Sequence, residues 1–149
     1  MRTLSDPLAG ALDVIGLNEY LGWYWGYPED ADKMQWESPW NKPLIVSEFG
    51  GGAIAGRHGD ANERWSEEYQ QSLFHHQLAM AQKIPNFAGL TPWVLMDFRS
   101  PLRMLPGVQD YHNRKGVIST RGQRKLAFYT LREFYREMAD TANPAAQEH

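Results

Sequence analysis

Pro43-Leu44-Ile45-Val46-Ser47-Glu48-Phe49-Gly50-Gly51-Gly52 reads as a short strand running into a tight, glycine-lined turn. Its residues are apolar at nearly every position rather than at alternate ones. That pattern fits a parallel strand covered on both faces. The carboxylate of Glu48 stands at the strand's end, and the glycines after it leave little room beside it. Two similar runs flank this one. Leu12 to Leu17 (LDVIGL) ends in Asn18-Glu19-Tyr20, and Phe87 to Val94 (FAGLTPWV) leads into a long irregular loop from Met96 to about Ile118.

Helical patterns separate the strands. Asp30 to Trp36 has the length of a short helix before Pro39. Asp60 with Glu63 resembles a capping pair. Trp65, Tyr69, Leu73, His76 and Met80 then recur every three or four residues, which predicts an amphipathic helix ending near Lys83 and Pro85. A last helix spans about Gln123 to Ala139 and carries Leu126, Phe128, Leu131, Phe134, Tyr135 and Met138. Strand, loop and helix therefore follow one another three times, the order of an α/β fold with parallel strands and helical crossovers. Polar and aromatic residues gather where the strands end, which is where a (β/α) barrel carries its active site. The glycines at 50 to 52 lack the GxGxxG spacing of a dinucleotide turn, so nucleotide binding gains no support.

Composition narrows the class. A chain of 149 residues, 42% hydrophobic and 22% charged, has the make-up of one soluble globular domain. Residues 1–140 are read as that domain and 141–149 as a flexible polar tail. The net charge of −3 gives no reason to expect nucleic acid or an anionic membrane. No run approaches the ~20 apolar residues of a membrane span. Without cysteine there is neither a disulfide nor a thiolate metal site, which suits a reducing cytoplasm. The histidines have no ligand spacing, so no metal and no cofactor is expected. Six Trp and seven Tyr are many for this length. Aromatic rings serve as core material, and also as platforms for the C–H face of a sugar.

The chemistry of Glu48 fits a retaining glycosidase. Such an enzyme attacks the anomeric carbon with one carboxylate, while a second carboxyl ~5–5.5 Å away protonates the leaving oxygen. Read by itself, a strand-end Glu is equally a salt-bridge residue. Five blocks in one order then bear on the choice: LDVIGLNEYLGWYWG (12–26), PLIVSEFGGGAIAGRHG (43–59), RWSEEYQ (64–70), TPWVLMDF (91–98) and NRKGVIST (113–120). Together they resemble family 2 glycoside hydrolases, the group containing β-glucuronidases and β-galactosidases, over residues 10 to 138.

The resemblance implies the last three β/α units of a (β/α)8 barrel, with the hydrolysis of β-glycosides as its activity. It implies that Glu48 is the nucleophile on the seventh strand. Asn18, Tyr20 and Tyr24 match the sugar-lining loop after the sixth strand, and Trp93 matches the tryptophan ending the eighth. His58 and Trp65-Ser66-Glu67-Glu68 match a segment whose role there is structural. Asn113 and Lys115 look like the Asn-x-Lys pair by which β-glucuronidases hold a substrate carboxylate, so a glucuronide is preferred to a galactoside. An amide and an ammonium two residues apart have the reach for that task.

The sequence departs from the pattern in two places. Gln109 stands where those enzymes carry an arginine, leaving Arg99 or Arg103 to supply the cation, and Glu19 stands where they commonly have another. The family's acid/base, a Glu after an Asn on the fourth strand, lies upstream of anything in these 149 residues. Three strands with open edges should self-associate or belong to a longer protein. Asn18-Glu19 repeats the local chemistry of the missing acid/base, so Glu19 is the second catalytic candidate, facing Glu48 of another copy in a homo-oligomer. That three strands do not tile an eight-strand barrel counts against this arrangement. The reading from a different class is a catalytically silent sugar-binding or oligomerising module.

Overall fold

The computed structural model describes residues 1–142. Its first strand, β1 (Arg2–Thr3), is two residues long and pairs in parallel with the equally short β3 (Trp36–Glu37). Between them lie a 3-10 turn (Pro7–Ala11), strand β2 (Ile15–Asn18) and a 3-10 helix (Pro28–Lys33). The predicted short helix thus starts two residues early and never becomes α-helical, because Trp36 is taken into β3. Strands β4 (Leu44–Glu48) and β5 (Phe87–Leu90) complete a parallel sheet in the order β2-β4-β5. An α/β chain with sequential parallel strands is what the alternation of elements called for.

Helix α1 (Glu67–Ala81) crosses from β4 to β5, and α2 (Leu126–Ala142) follows the long loop after β5. The N-terminus of α1 differs from the predicted one. Ser66 is the N-cap, its Oγ accepting the Tyr69 amide at 3.0 Å. Asp60 heads only a turn, while Glu63 pairs with Arg57 at 2.8 Å. Trp65, with φ of 74°, blocks a continuous helix between them. The loop after β5 contains a two-residue hairpin of β6 (Phe98–Arg99) and β7 (His112–Asn113). Helix α2 runs through residues 141 and 142, and the remainder of the expected tail lies outside the described residues.

The core lies between the sheet and the helices. Ile15, Leu44, Val46 and Leu90 point inward and meet Phe74, Leu78, Leu131 and Phe134. Burying each of these large side chains contributes about 1.5–3 kcal/mol before the entropy cost is counted. The opposite face of the sheet is not covered. Ile45 is 37% exposed, and Gly16, Asn18 and Ser47 are exposed beside it. Strands apolar on both faces were expected to be covered on both, and here only the helix side is. Among the described residues no helix is long and apolar enough to cross a membrane.

Candidate active site

All three strand ends converge at one rim. Asn18 of β2 lies in register with Glu48 of β4, and the Glu19 amide donates to the Glu48 carbonyl at 2.8 Å. From β5 the chain continues to Trp93, whose amide donates to the Phe49 carbonyl at 2.9 Å. Backbone pairing alone therefore sets Asn18, Glu48 and Trp93 side by side. The turn after Glu48 needs its glycines. Gly50 has φ of 113°, and a Cβ on Gly51 would lie 2.5 Å from both Leu73 and Trp23.

Glu48 is half-buried, and the Tyr20 hydroxyl donates to its Oε2 at 2.8 Å. Burial, followed by that hydrogen bond and the charge of Glu48, raises the Tyr20 phenol, so it stays a neutral donor across the working range. On the other side of Tyr20 stands Tyr24, edge-on with ring centroids 5.0 Å apart. Lys115 is buried and donates from Nζ to the Tyr24 hydroxyl. Its Nζ also lies 4.6 Å from the Tyr24 ring centroid and 5.5 Å from that of Tyr20. Burial lowers the Lys115 ammonium, against the opposing pull of Tyr24 and Glu48. Burial pushes Tyr24 up, but the hydrogen bond and charge of Lys115 outweigh it, with Arg103 adding to them, so the phenol ends lowered.

Asn113 is buried next to Lys115. Its Oδ1 accepts the Lys115 amide at 3.1 Å, which leaves its NH2 out of that bond. Trp93 is 37% exposed and packs edge-on against Phe98 at 6.4 Å. Asn18 accepts from the Ser47 hydroxyl at 2.8 Å, at the margin of the bare sheet face. Glu48, Tyr20, Tyr24, Lys115 and Asn113 thus form one cluster, with Trp93 and Asn18 on its borders.

Glu19 is not part of that cluster. Its side chain is 1% exposed, with one oxygen on the Arg2 guanidinium and the other accepting the Leu21 amide at 2.8 Å. With its carboxylate turned inward and ion-paired, Glu19 does not line this rim, and the expectation that it meets Glu48 of another copy gains no support from this geometry. Of the two arginines considered as the extra cation, Arg103 is the one whose charge reaches Tyr20, Tyr24 and Lys115. Loop residues this far apart in sequence carry no pattern that predicts their meeting. No group of three or more His, Cys, Asp or Glu is placed to hold a metal among the described residues.

A buried ion pair underlies the cluster, and nothing in the sequence pointed to it. Lys125 donates to Asp97 Oδ1 at 2.9 Å, both side chains fully buried. Burial raises the Asp97 carboxyl and lowers the Lys125 ammonium, each opposed by the other's charge.

No protein-family profile matches the chain. Human β-glucuronidase is 35% identical to it over 91% of this chain, and rat β-glucuronidase 33% identical over the same share. A family 2 β-galacturonidase from Eisenbergiella tayi, solved with galacturonate, superimposes with a TM-score of 0.71 at 29% identity over 87% of the chain. The Faecalibacterium prausnitzii β-glucuronidase gives 0.71 at 25% identity over 89%. The chain belongs to glycoside hydrolase family 2. It spans 22% of the length of the two mammalian relatives and 24% of the E. tayi family 2 enzyme. Its parallel sheet and two helices thus correspond to a portion of these enzymes, and the converging strand ends fall within the portion that matches.

Proposed function

We propose that this portion carries the nucleophile and the uronate-binding wall of a retaining β-glycosidase, with β-glucuronides as the favoured substrates. One observation carries the reading: the strand-end carboxylate of Glu48 shares a rim with Lys115 and Asn113, bridged by Tyr20 and Tyr24. A sugar over Trp93 with C1 at Glu48 would bring a carboxylate to the ammonium and the amide. Glu48 then attacks the anomeric carbon and forms the glycosyl ester, which water later hydrolyses. Tyr20 aims the attacking carboxylate and remains a donor. Lys115, a cation in a half-dry pocket, separates uronates from neutral sugars.

Glu19, engaged with Arg2, does not serve as the proton donor. Without one, activated aryl glycosides suffer least, because general acid catalysis is typically worth ~10²–10⁴-fold. The test is trapping by a 2-fluoro glucuronyl fluoride, read by mass spectrometry. A covalent adduct on Glu48, absent in Glu48→Gln, is the expected result. Uronate binding without an adduct would favour the second reading, a silent sugar-binding module, for which the buried Glu19 is the supporting observation.

A further inference from the structure

We propose that Asp97 and Lys125, which touch no sugar, are positioning residues that hold Lys115 at the distance from Glu48 that uronate selection needs. The inference rests on the reading of Lys115 as the uronate ligand. Its basis is where the buried pair places its hydrogen bonds. The ammonium of Lys125 has three protons and uses them on Ala53 O at 2.7 Å, Asp97 Oδ1 at 2.9 Å and Arg114 O at 3.0 Å. Asp97 Oδ1 in turn accepts the Gly116 amide at 2.8 Å. The pair therefore grips the residue before Lys115 and the residue after it. Its third anchor, Ala53, stands at the end of the glycine turn that follows Glu48.

The neighbouring bonds point the same way. The Ala53 amide donates to the Arg114 carbonyl at 3.0 Å, and Gln70 reaches both Gly51 O at 2.8 Å and Gly116 O at 3.2 Å. The fit at Gly116 is tight, since a Cβ there would lie 2.2 Å from the Asp97 amide nitrogen. A buried ion pair is a poor device for stability, because desolvation offsets most of its attraction, and a packed apolar pair often does as well. Asp97 Oδ2 is buried without a partner, so this pair is not optimised for stability either. What an apolar pair cannot supply is direction. Three fixed bonds from one ammonium set the geometry of two loops that are otherwise irregular.

The test uses Asp97→Asn, Lys125→Met and the double variant Asp97→Leu/Lys125→Met in the full chain. The double variant leaves no orphaned charge and is expected to fold where the single ones do not. Two measurements are made on every variant that folds. The first is the NMR titration of Tyr24, assigned with Tyr24→Phe, which reports the Lys115 contact without any sugar. The second is the ratio of affinities for methyl β-glucuronide and methyl β-glucoside.

The inference expects Tyr24 to move back toward its ordinary value. It also expects the ratio to fall roughly tenfold or more, as for a lost hydrogen bond to a charged group. Folded variants with Tyr24 unmoved, or with the ratio intact, would overturn it. Unfolding of all three variants would overturn it as well, by making the pair a requirement of the fold rather than of the segment. A wild-type chain with no preference for the glucuronide would sink the uronate reading instead, and the Tyr24 titration would still judge the clamp.

Discussion

Lys115 shows what a single residue contributes here and what decides it. An exposed lysine would keep its charge to about pH 10.4, but burial lowers this one. Uronate affinity needs the charged form. It should therefore fall, as pH rises, earlier than an ordinary lysine would allow. Lys115→Met should cost glucuronide affinity roughly 10- to 100-fold, the value of a hydrogen bond to a charged group. Methyl β-glucoside binding should be unchanged, and calorimetry at pH 7 and 9 separates the two effects. Tyr20→Phe makes the complementary test. It removes the donor to Glu48 while keeping the ring, so turnover of nitrophenyl β-glucuronide should drop about 10- to 100-fold with little change in KM. Glu48 was legible in the sequence because a strand end followed by glycines has one place to be. The Lys115–Tyr24 contact spans 91 positions and depends on how a long loop closes, so no spacing could announce it. Glu19 is the opposite case: Asn-Glu is a local pattern, while its ion pair is made with Arg2, 17 residues away.

At the scale of elements, the start of α1 separates what local pattern fixes from what packing fixes. Asp60 and Glu63 have the spacing of a capping box, and so the helix was expected there. Trp65 is instead drawn onto Trp23, with centroids 4.9 Å apart at 87°, and its backbone takes a conformation no helix contains. The helix can begin only afterwards, at Ser66. That hydroxyl is fully buried, donates to the Glu63 carbonyl at 2.7 Å and accepts the Tyr69 amide. Ser66→Ala should cost about 1 kcal/mol, or roughly 2–4 °C in Tm, as seen by calorimetry. A larger loss is expected at Gly116, where any Cβ meets backbone rather than a movable side chain. Gly116→Ala should sit at the top of the ~1–3 kcal/mol range for overpacking, in urea denaturation. Strand β4 was read nearly to its ends because its run is uninterrupted, whereas β2 starts three residues later, β5 stops four residues earlier and α2 lies three residues further along than their patterns suggested. Glu67 adds a link invisible in sequence, its carboxylate capping the first amide of α2 at 2.8 Å.

The whole molecule is a sheet finished on one side. The apolar run of β4 predicted cover on both faces, and the helices supply only one, which leaves Ile45 exposed in the middle strand. The two outer strands each keep an unpaired edge. A groove of about 440 Å³ runs along β5, where Phe87 and Leu90 meet Phe134 and Met138, and another of about 290 Å³ runs along β2 beside Leu4 and Ala9. Open parallel edges beside apolar grooves template further pairing. They are therefore expected either to drive copies together or to receive further β/α units. Ile45→Lys tells these apart, because it places a charge at the centre of the bare face and touches nothing in the core. If copies complete one another, light scattering should show the wild-type chain as an oligomer and the variant shifted toward the monomer, with adduct formation on Glu48 lost in parallel. If both chains run as monomers of equal mass, the bare face is not used between copies. The variant should then leave the mass, the fold and adduct formation on Glu48 as they are in the wild-type chain.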